Sequence, residues 1–434
     1  MQAQRPGLRY AFVALKYPGF RLLFIASCVS SFGTSLQGLT NLWLIFVITG
    51  SALQLGLTGL TRAVPLIIFS LAGGVVADRI QRKKIIVASQ LWNGALTICL
   101  AFLATTGLID VWHIYLATFL GSALSSISAP AQRAAIANLV PRHHLMNAMA
   151  VNFTSRRFTS IVAPSVGGVL LAAVGPTLTY ALNGLALIMT SLTMLRIDFG
   201  AGPPRAATSP LRDLADGFAF LRGRSIILVI LGADGIAMLF GTYQVLLPII
   251  ADKFGVGAAG YGFLSSASAV GGVVGAMAVM SLGDIRYKGL LISAGILAYC
   301  CCLVALAVAP WYAQAFLAVA GLGLSDSIQT TPRTALVQLL TPDEFRGRAS
   351  AFQQLIQGGG PAVGQGAMGA AAGALGAPVA LVGGAVICAV LQVWLLLTRK
   401  DLRAPDLGMD VDEAQVQTGS PVMTPAVDIV LSSR

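Results

Sequence analysis

The sequence predicts an all-α membrane protein in which twelve transmembrane helices form two six-helix bundles. Three observations support this fold class: the composition, a series of long apolar segments, and the distribution of positive charge between them. Hydrophobic residues make up 56% of the 434 residues and charged residues only 10%, whereas an ordinary soluble domain has roughly 25% charged residues. The composition therefore argues against a soluble globular protein.

Twelve apolar segments are long enough to cross a bilayer, which takes about 20 helical residues. We predict spans at residues 20–48, 54–77, 84–106, 112–132, 147–174, 177–196, 225–251, 258–281, 288–308, 311–331, 348–374 and 377–398. A membrane barrel would show shorter segments that alternate between apolar and polar residues. No such alternation competes with these spans, so the pattern favours helices throughout.

Positive residues occupy alternate loops, as expected when Lys and Arg mark the cytoplasmic side. The basic segments are the N-terminus, residues 78–84, 133–146, 196–224, 282–288 and 333–348, and the end of the last span. The other set of loops holds one cation, Lys253. This pattern predicts a multi-pass inner-membrane protein with both termini in the cytoplasm. It also explains the net charge of +11 without a nucleic-acid partner.

The connections between spans predict the domain organisation. The predicted units are a cytoplasmic N-terminus (1–19), an N-terminal bundle (20–196), a linker (197–224), a C-terminal bundle (225–398) and a disordered tail (399–434). The long apolar run near the N-terminus is interpreted as the first span and not as a cleavable signal peptide. Within the linker, Ser209 and Pro210 are typical of a helix start, and they precede apolar residues at helical spacing. We therefore expect a short amphipathic helix at the membrane surface.

The two sets of six spans resemble each other, which indicates an internal repeat. Residues 133–141 match 333–342, residues 163–168 match 360–364, and Asp78 is echoed by Asp284. Two repeats related by an axis along the membrane normal are a known plan of transporters. A substrate would then bind between the halves, near the middle of the membrane.

Two motifs carry a family resemblance. Residues 74–84 read Gly-Val-Val-Ala-Asp-Arg-Ile-Gln-Arg-Lys-Lys and resemble the loop signature of the major facilitator superfamily, with Gln81 in place of Gly. Residues 163–168 resemble the fifth-helix antiporter motif of exporters in that superfamily, with Ala163 where Gly is usual. Segments 18–33 and 139–148 are similar to the enterobactin-exporter and macrolide-efflux-like branch. The resemblance implies the major facilitator fold and the export of a cargo driven by inward proton flow.

The resemblance assigns roles to both motifs. It implies a gating loop formed by Gly74, Asp78, Arg79 and Arg82, with Asp284 as its counterpart in the second half. Asp78 could act as a latch against the positive N-terminus of the eleventh span. Alternatively, Asp78 and Arg79 are only topology charges. The antiporter-like motif comprises Ala163, Pro164, Gly167 and Gly168.

Polar residues in the first span lie on one helical face and form the main group of cavity candidates. Ser27, Ser30, Thr34, Gln37 and Asn41 recur at spacings of 3, 4, 3 and 4 residues. Polar side chains that face lipid are costly, so this face meets either a cavity or another helix. Further cavity candidates are Ser122 and Ser125 in the fourth span, Tyr243 and Gln244 in the seventh, and the intramembrane cations Arg62 and Arg157. Arg62 could instead extend to the outer surface, and Arg157 could pair with a buried Asp or hold an anionic cargo.

Asp234 and Asp326 are the candidates for proton coupling. A carboxylate inside the membrane is expensive unless it is protonated, paired or hydrated. We rank Asp234 first, because it lies deeper in its span and has fewer arginines nearby in the sequence. The alternative is that either residue forms a fixed structural ion pair.

Other chemistry finds little support in the sequence. The six cysteines lie in apolar runs without metal-ligand spacing. The glycines at 271–275 and 358–360 lie in apolar helices and lack the lysine of a phosphate-binding loop, so we expect them to form sliding contacts between the halves. We expect no metal, no cofactor and no enzymatic activity.

The sequence therefore predicts a secondary transporter that exports a small amphipathic molecule, drug-like or siderophore-like, by alternating access. Protons are the expected coupling ion, the lipid bilayer is the expected environment, and a monomer is the expected state. Two alternatives remain open. One is an importer or uniporter of a small nutrient on the same fold, and the other is a non-transporting membrane receptor or scaffold.

Overall fold

The computed structural model describes residues 13–79, 81–197, 225–283, 287–341 and 343–403. Within these residues the regular secondary structure is helical. The predicted amphipathic helix of the linker, Asp284 and the tail beyond residue 403 lie outside the described residues.

The first half of the chain forms helices at the positions of the first six predicted spans. These are α1 (Pro18–Thr49), α2 (Ala52–Arg79), α3 (Arg82–Thr105), α4 (Val111–Leu139) and the long element Leu145–Met194. That long element is broken at Gly175, where a φ of 74° suits glycine. We label its two parts α5 (145–174) and α6 (176–194). Short 3-10 turns, Val13–Lys16 and Arg142–His144, precede α1 and α5.

The second half contains the remaining helices. They are α7a (Ser225–Phe240), α7b (Leu247–Lys253), α8 (Gly257–Ser281), α9 (Lys288–Ala307), α10 (Tyr312–Leu340), α11 (Asp343–Leu375) and α12 (Ala377–Thr398). The seventh predicted span is thus interrupted after Phe240, and a 3-10 turn at Gln244–Leu246 precedes α7b. The prediction of one continuous seventh helix is wrong in this respect.

Nine helices in the described part of the chain are long and apolar enough to cross a membrane. One of them, from Arg142 to Met194, has 53 residues and is long enough for two crossings, because one crossing takes about 20 residues. The all-α membrane fold is therefore confirmed. The full count of twelve spans depends on more than the described residues and stays a prediction.

Two predicted boundaries are wrong in an informative way. α10 continues to Leu340, nine residues beyond the predicted end at 331, and this places Arg333 inside a helix and not in a cytoplasmic loop. At the other boundary, Lys400–Arg403 form a 3-10 turn whose Leu402 is buried against Gly289. The predicted tail therefore begins later than residue 399.

Close helix contacts join the first half of the chain to the second. A Cβ atom placed on Gly168 of α5 would lie 2.6 Å from the Cα of Gly262 in α8, and one on Gly56 of α2 would lie 2.6 Å from the Cα of Gly369 in α11. Backbones can approach this closely because these residues lack side chains. In the predicted repeat, α2 corresponds to α8 and α5 corresponds to α11. The α2–α11 contact therefore corresponds to the α8–α5 contact, as expected for two similar halves.

These contacts lie at one end of the helices. They involve the final parts of α5 and α11 and the first parts of α2 and α8. At the same end, Trp43 of α1 stacks on Tyr261 of α8, with ring centroids 5.8 Å apart and an interplanar angle of 18°. The halves of the chain therefore meet at the end that is remote from the start of α1.

The glycines at 271–275 pack differently from the prediction. The backbone at Gly271 and Gly275 approaches Ala320 and Leu324 of α10, and α10 belongs to the same half of the chain as α8. These two glycines allow close packing of neighbouring helices, so the prediction that they contact the other half is wrong.

Candidate transport cavities

Two polar cavities open among the described helices. The first has a volume of about 360 Å³ and is bounded mainly by α1, α2, α3 and α4; we call it the hydroxyl cavity. The second has a volume of about 290 Å³ and is bounded by α1, α5, the seventh span, α8 and α10; we call it the charged cavity. Both sizes are close to those of small-molecule sites, which begin at roughly 300 Å³.

Serine, threonine and amide side chains dominate the wall of the hydroxyl cavity. Its polar lining consists of Ser30, Thr34, Gln37, Asn41, Arg62, Ser89, Gln90, Asn93, Thr118, Ser122, Ser125, Ser126, Ser128 and Gln132. Four of the five polar residues predicted from the first span belong to this wall. The fifth, Ser27, lines neither cavity. It lies nearer the start of α1, where Cys28 Sγ is 2.8 Å from Ser155 Oγ of α5.

Asn41 both lines the hydroxyl cavity and holds helices together. Its side-chain amide donates a hydrogen bond to Thr118 Oγ1 of α4 (3.1 Å), and its Oδ1 accepts one from the Tyr180 hydroxyl of α6 (2.7 Å). Tyr180 is fully buried. For the polar face of the first span, contact with another helix is the alternative to a cavity. Asn41 makes such contacts as well as lining the cavity. By contrast, Thr34 is exposed and donates only to the Ser30 carbonyl of its own helix (2.8 Å).

Arg62 is the charged residue among the described lining residues of the hydroxyl cavity. Its side chain is exposed and belongs to the cavity wall. Within the described part of the chain it makes no hydrogen bond or ion pair. Among the described residues, no Asp or Glu lines this cavity. In this part of the chain, Arg62 therefore shares the wall with neutral hydrogen-bonding groups.

The charged cavity brings residues from both halves of the chain together. Arg157 of α5 lies on one side, and Tyr243, Gln244 and Asp326 lie on the other. The Asp326 side chain is exposed, and its Oδ1 accepts a 3.4 Å hydrogen bond from the Thr330 hydroxyl. The Arg157 guanidinium lies 5.4 Å from the centre of the Phe153 ring. The described lining residues of this cavity therefore carry one positive and one negative charge.

A buried ion pair connects the seventh span to α10. Arg333 donates from Nη1 to Asp234 Oδ1, and both side chains are almost completely buried, at 1% and 4% exposure. A second, 3.3 Å hydrogen bond joins Arg333 Nη2 to the Thr330 hydroxyl. Asp234 therefore matches the fixed ion pair considered as its alternative role. Few arginines lie near Asp234 in the sequence, but its partner is an arginine 99 residues away. A role of Asp234 in proton coupling stays a prediction.

The cluster around this pair has unused hydrogen-bonding capacity. Asp234 Oδ2, Arg333 Nε and Gln329 Oε1 are buried and have no hydrogen-bond partner among the residues that the structure describes. Unpaired polar atoms in a buried site cost free energy, typically about 1–3 kcal/mol each. Thr330 bonds to both Arg333 and Asp326, so it links the buried pair to the acid that faces the charged cavity.

The structure describes the two family motifs to different extents. Gly74, Asp78 and Arg79 belong to the last turns of α2, but their side chains lie outside the described residues, as does all of Asp284. Arg82 begins α3. In the antiporter-like motif of α5, Ala163, Gly167 and Gly168 are buried, and Pro164 lies inside the helix. Gly168 forms the α8 contact, and Gly167 faces Leu36 of α1.

Ten of the eleven predicted cavity residues line one of the two cavities. Whether they bind cargo stays a prediction. The sequence reasoning did not single out Gln90 and Asn93 of α3, Gln132 of α4, or Arg333. The first three could have been found by the rule that amide side chains within an apolar span need a polar surrounding. Arg333 had no such signal, because a cation after an apolar run also fits a cytoplasmic loop.

An all-α membrane protein with polar cavities among its spans, and with paired glycine contacts at one end, has the architecture of a major facilitator transporter. The chain belongs to this superfamily, in the family described as transmembrane secretion effectors, MFS_3, whose sequence profile matches residues 10–433. It is therefore a membrane transporter and not an enzyme.

Individual relatives agree with this assignment. The chain is 28% identical over 388 residues to the enterobactin exporter EntS of Escherichia coli O81 (strain ED1a), covering 89% of this chain and 93% of the relative. Among solved structures, it is similar to a bacterial homologue of the human lysosomal transporter Spinster (TM-score 0.67, 13% identity, 91% and 97% coverage). It is also similar to the nucleoside transporter NupG (TM-score 0.67, 13% identity, 87% and 98% coverage). At these identities the structural likenesses establish the fold alone.

Proposed function

We propose that this protein is a secondary active exporter that moves a small amphipathic molecule out of the cell in exchange for protons. The observation that carries the proposal is the charged cavity, where Arg157 from the first half and Asp326 from the second half face the same space. The family description and the 28% identity to an enterobactin exporter support outward transport. A drug-like or siderophore-like cargo is the corresponding expectation.

Alternating access would involve opening the end at which the two halves of the chain meet. If both termini are cytoplasmic, as the loop charges predict, the glycine contacts and the Trp43–Tyr261 stack lie on the outer side of the inner membrane. The cavities would then receive cargo from the cytoplasm. Separation of α5 from α8 and of α2 from α11 would open the outer side. A single chain has all the parts of this cycle, which supports a monomer.

Asp326 is our principal candidate for the proton carrier. Its side chain faces the cavity, so protons and water can reach it, and its neighbour Thr330 also contacts Arg333. Asp234 is buried and already paired with Arg333, so protonation of Asp234 requires that this ion pair be broken. Asp234 therefore becomes the second candidate, and it would respond to Asp326 through Thr330 and Arg333.

The experiment is proton-driven transport by the full chain in proteoliposomes, with enterobactin as the probe and protein-free liposomes as the control. An exchanger accumulates the probe when the lumen is more acidic than the outside. Accumulation driven instead by an acidic exterior would indicate proton symport and favour the importer alternative. Accumulation that ignores the pH gradient would remove proton coupling. If the probe does not accumulate under either gradient, enterobactin is not the cargo, and a drug-like amphipathic dye is the next probe.

A further inference from the structure

The hydroxyl cavity contains a positive charge that has no role in the proposed proton exchange. Arg62 is the only charged residue among the described residues that line it. The other intramembrane arginines described above have acids close by: Arg333 is paired with Asp234, and Arg157 shares its cavity with Asp326. Arg62 has neither an acid in its cavity nor a hydrogen-bond partner among the described residues.

The neutral groups that line the same cavity also have hydrogen-bonding capacity for a ligand. The hydroxyls of Ser30, Ser122 and Ser125, and the amides of Gln37 and Gln132, have no hydrogen-bond partner within the described part of the chain. Each of these groups can donate a hydrogen bond. A guanidinium that shares a cavity with hydroxyl and amide donors suits carboxylate, sulfonate or phosphate oxygens, because the planar fork of Arg matches two oxygens at once.

We propose that the hydroxyl cavity is a recognition site for an oxyanion carried by the cargo, and that Arg62 is the residue that pairs with it. The inference rests on the proposed function, because it defines the class of molecule exported. The cargo would have an anionic, oxygen-rich end in the hydroxyl cavity. Asp326 remains available for protons in the charged cavity.

Charged thiol reagents test the electrostatic part of the proposal without knowledge of the cargo. In a full-length chain with its six cysteines changed to alanine, Ser125→Cys places a reporter thiol in the hydroxyl cavity. Its labelling rates are measured with anionic sulfonatoethyl and cationic trimethylammonioethyl methanethiosulfonate. We expect Arg62→Gln to lower the anion-to-cation rate ratio roughly tenfold, because one charge at close range in a hydrated cavity has about that effect. Arg62→Lys should largely restore the ratio.

Two controls isolate Arg62. Arg156→Gln removes the same charge from an exposed α5 position that lines neither cavity, and it should leave the ratio at Ser125→Cys unchanged. A reporter at Ser160→Cys in the charged cavity should respond much less to Arg62→Gln. A ratio at Ser125→Cys that is the same with and without Arg62 would overturn the proposal.

A matched pair of ligands tests the oxyanion itself. Salicylate and salicylamide have similar size and shape, but only the first is an anion at neutral pH. We expect salicylate to slow the labelling of Ser125→Cys more than salicylamide does, and we expect this difference to disappear in Arg62→Gln. Equal effects of the two compounds on the native Arg62 chain, including no effect of either, would also overturn the proposal. Because labelling needs no transport, these results are independent of whether enterobactin accumulates.

Discussion

The two cavities use polar residues in opposite ways. The wall of the hydroxyl cavity is rich in neutral side chains, several of which keep free hydrogen-bonding groups, and its one cation is unpaired within the described residues. Behind the charged cavity, polar groups are fixed: Asp234 and Arg333 are buried in an ion pair, and Thr330 connects that pair to Asp326. The first arrangement suits ligand binding, and the second suits a device that responds to protonation.

This difference has an energetic consequence. Removal of a free hydroxyl or amide from a hydrated wall changes stability little. Removal of one partner of a buried ion pair leaves a charge without compensation, which typically costs about 3–5 kcal/mol. Mutations in the wall of the hydroxyl cavity should therefore affect ligand binding more than stability. Mutations in the buried ion pair should lower the free energy of unfolding.

The largest effect is expected for the buried pair. Asp234→Asn or Arg333→Gln alone should destabilise the protein by about 3–5 kcal/mol, because each leaves one buried charge unpaired. The double variant should recover much of that loss. Thermal loss of monodisperse protein in detergent, followed by size-exclusion chromatography, measures the effect.

Arg62→Gln is the matched comparison for this prediction. It removes an arginine from the hydroxyl cavity, where the side chain is exposed and has no ion-pair partner among the described residues. Its thermal stability should stay close to that of the native chain. Equal destabilisation by Arg62→Gln and Arg333→Gln would contradict the distinction between the two cavities.

The next effect concerns the glycine contact that holds α5, a wall of the charged cavity, against α8. Gly168→Leu should force the helices apart, at a cost of about 1–3 kcal/mol, as is usual for overpacking. Ser165 Oγ and Ser266 Oγ lie 2.7 Å apart across this contact. In the cysteine-free chain, Ser165→Cys with Ser266→Cys should therefore cross-link readily, and Gly168→Leu should slow that reaction.

Val169→Leu is the control for the glycine substitution. Val169 is adjacent in α5, but its side chain is 47% exposed, on the outer surface of the helices. It should leave cross-linking unchanged. If Gly168→Leu and Val169→Leu cross-link at the same rate, the close approach at Gly168 does not control closure of this end.

The sequence predicted the spans well because hydrophobic length is a local property. The polar face of α1 was also predictable, since side chains at spacings of 3 and 4 residues share a face. The position of this face along the helix axis was not, and so Ser27 was included although it lies beyond the end of the cavity. Helical spacing shows which side chains share a face of the helix. It does not show where along the helix the neighbouring helices separate to form a cavity.

Arg333 shows the other limit of the sequence. An arginine at the end of an apolar run has the same appearance whether it enters a cytoplasmic loop or continues a helix into a buried pair. Its partner, Asp234, is distant in the chain, and only the packing of α10 against the seventh span brings them together. Pairing across helices is therefore the reason that our proposal places Asp326 ahead of Asp234 as the proton carrier.

The third effect concerns Asp326, the cavity-facing acid. With one proton exchanged per cargo molecule, a gradient of one pH unit supports about tenfold accumulation, because tenfold corresponds to about 1.4 kcal/mol. Asp326→Asn should lose this accumulation and fold normally, since its carboxylate is exposed. Probe uptake into proteoliposomes with an acidic lumen measures this accumulation.

Asp252→Asn is the control for Asp326→Asn. Asp252 is an exposed acid that lines neither cavity, so the variant should transport normally. Retained coupling in Asp326→Asn would return Asp234 to first place.

The smallest effect concerns the polar face of α1, where one side chain bonds to other helices and another does not. Asn41 and Thr34 lie on the same face of α1, but only Asn41 bonds to other helices, through Thr118 and Tyr180. Asn41→Ala leaves the buried Tyr180 hydroxyl unpaired and should cost about 0.6 to 1.7 kcal/mol, from the average to the largest value measured for a hydrogen bond between membrane helices. Thr34→Ala removes only a bond within α1, and its thermal stability should match that of the native chain. If Thr34→Ala is as destabilising as Asn41→Ala, the polar face of α1 packs against other helices along its whole length. Its hydroxyls would then stabilise the fold and would not be available to a ligand.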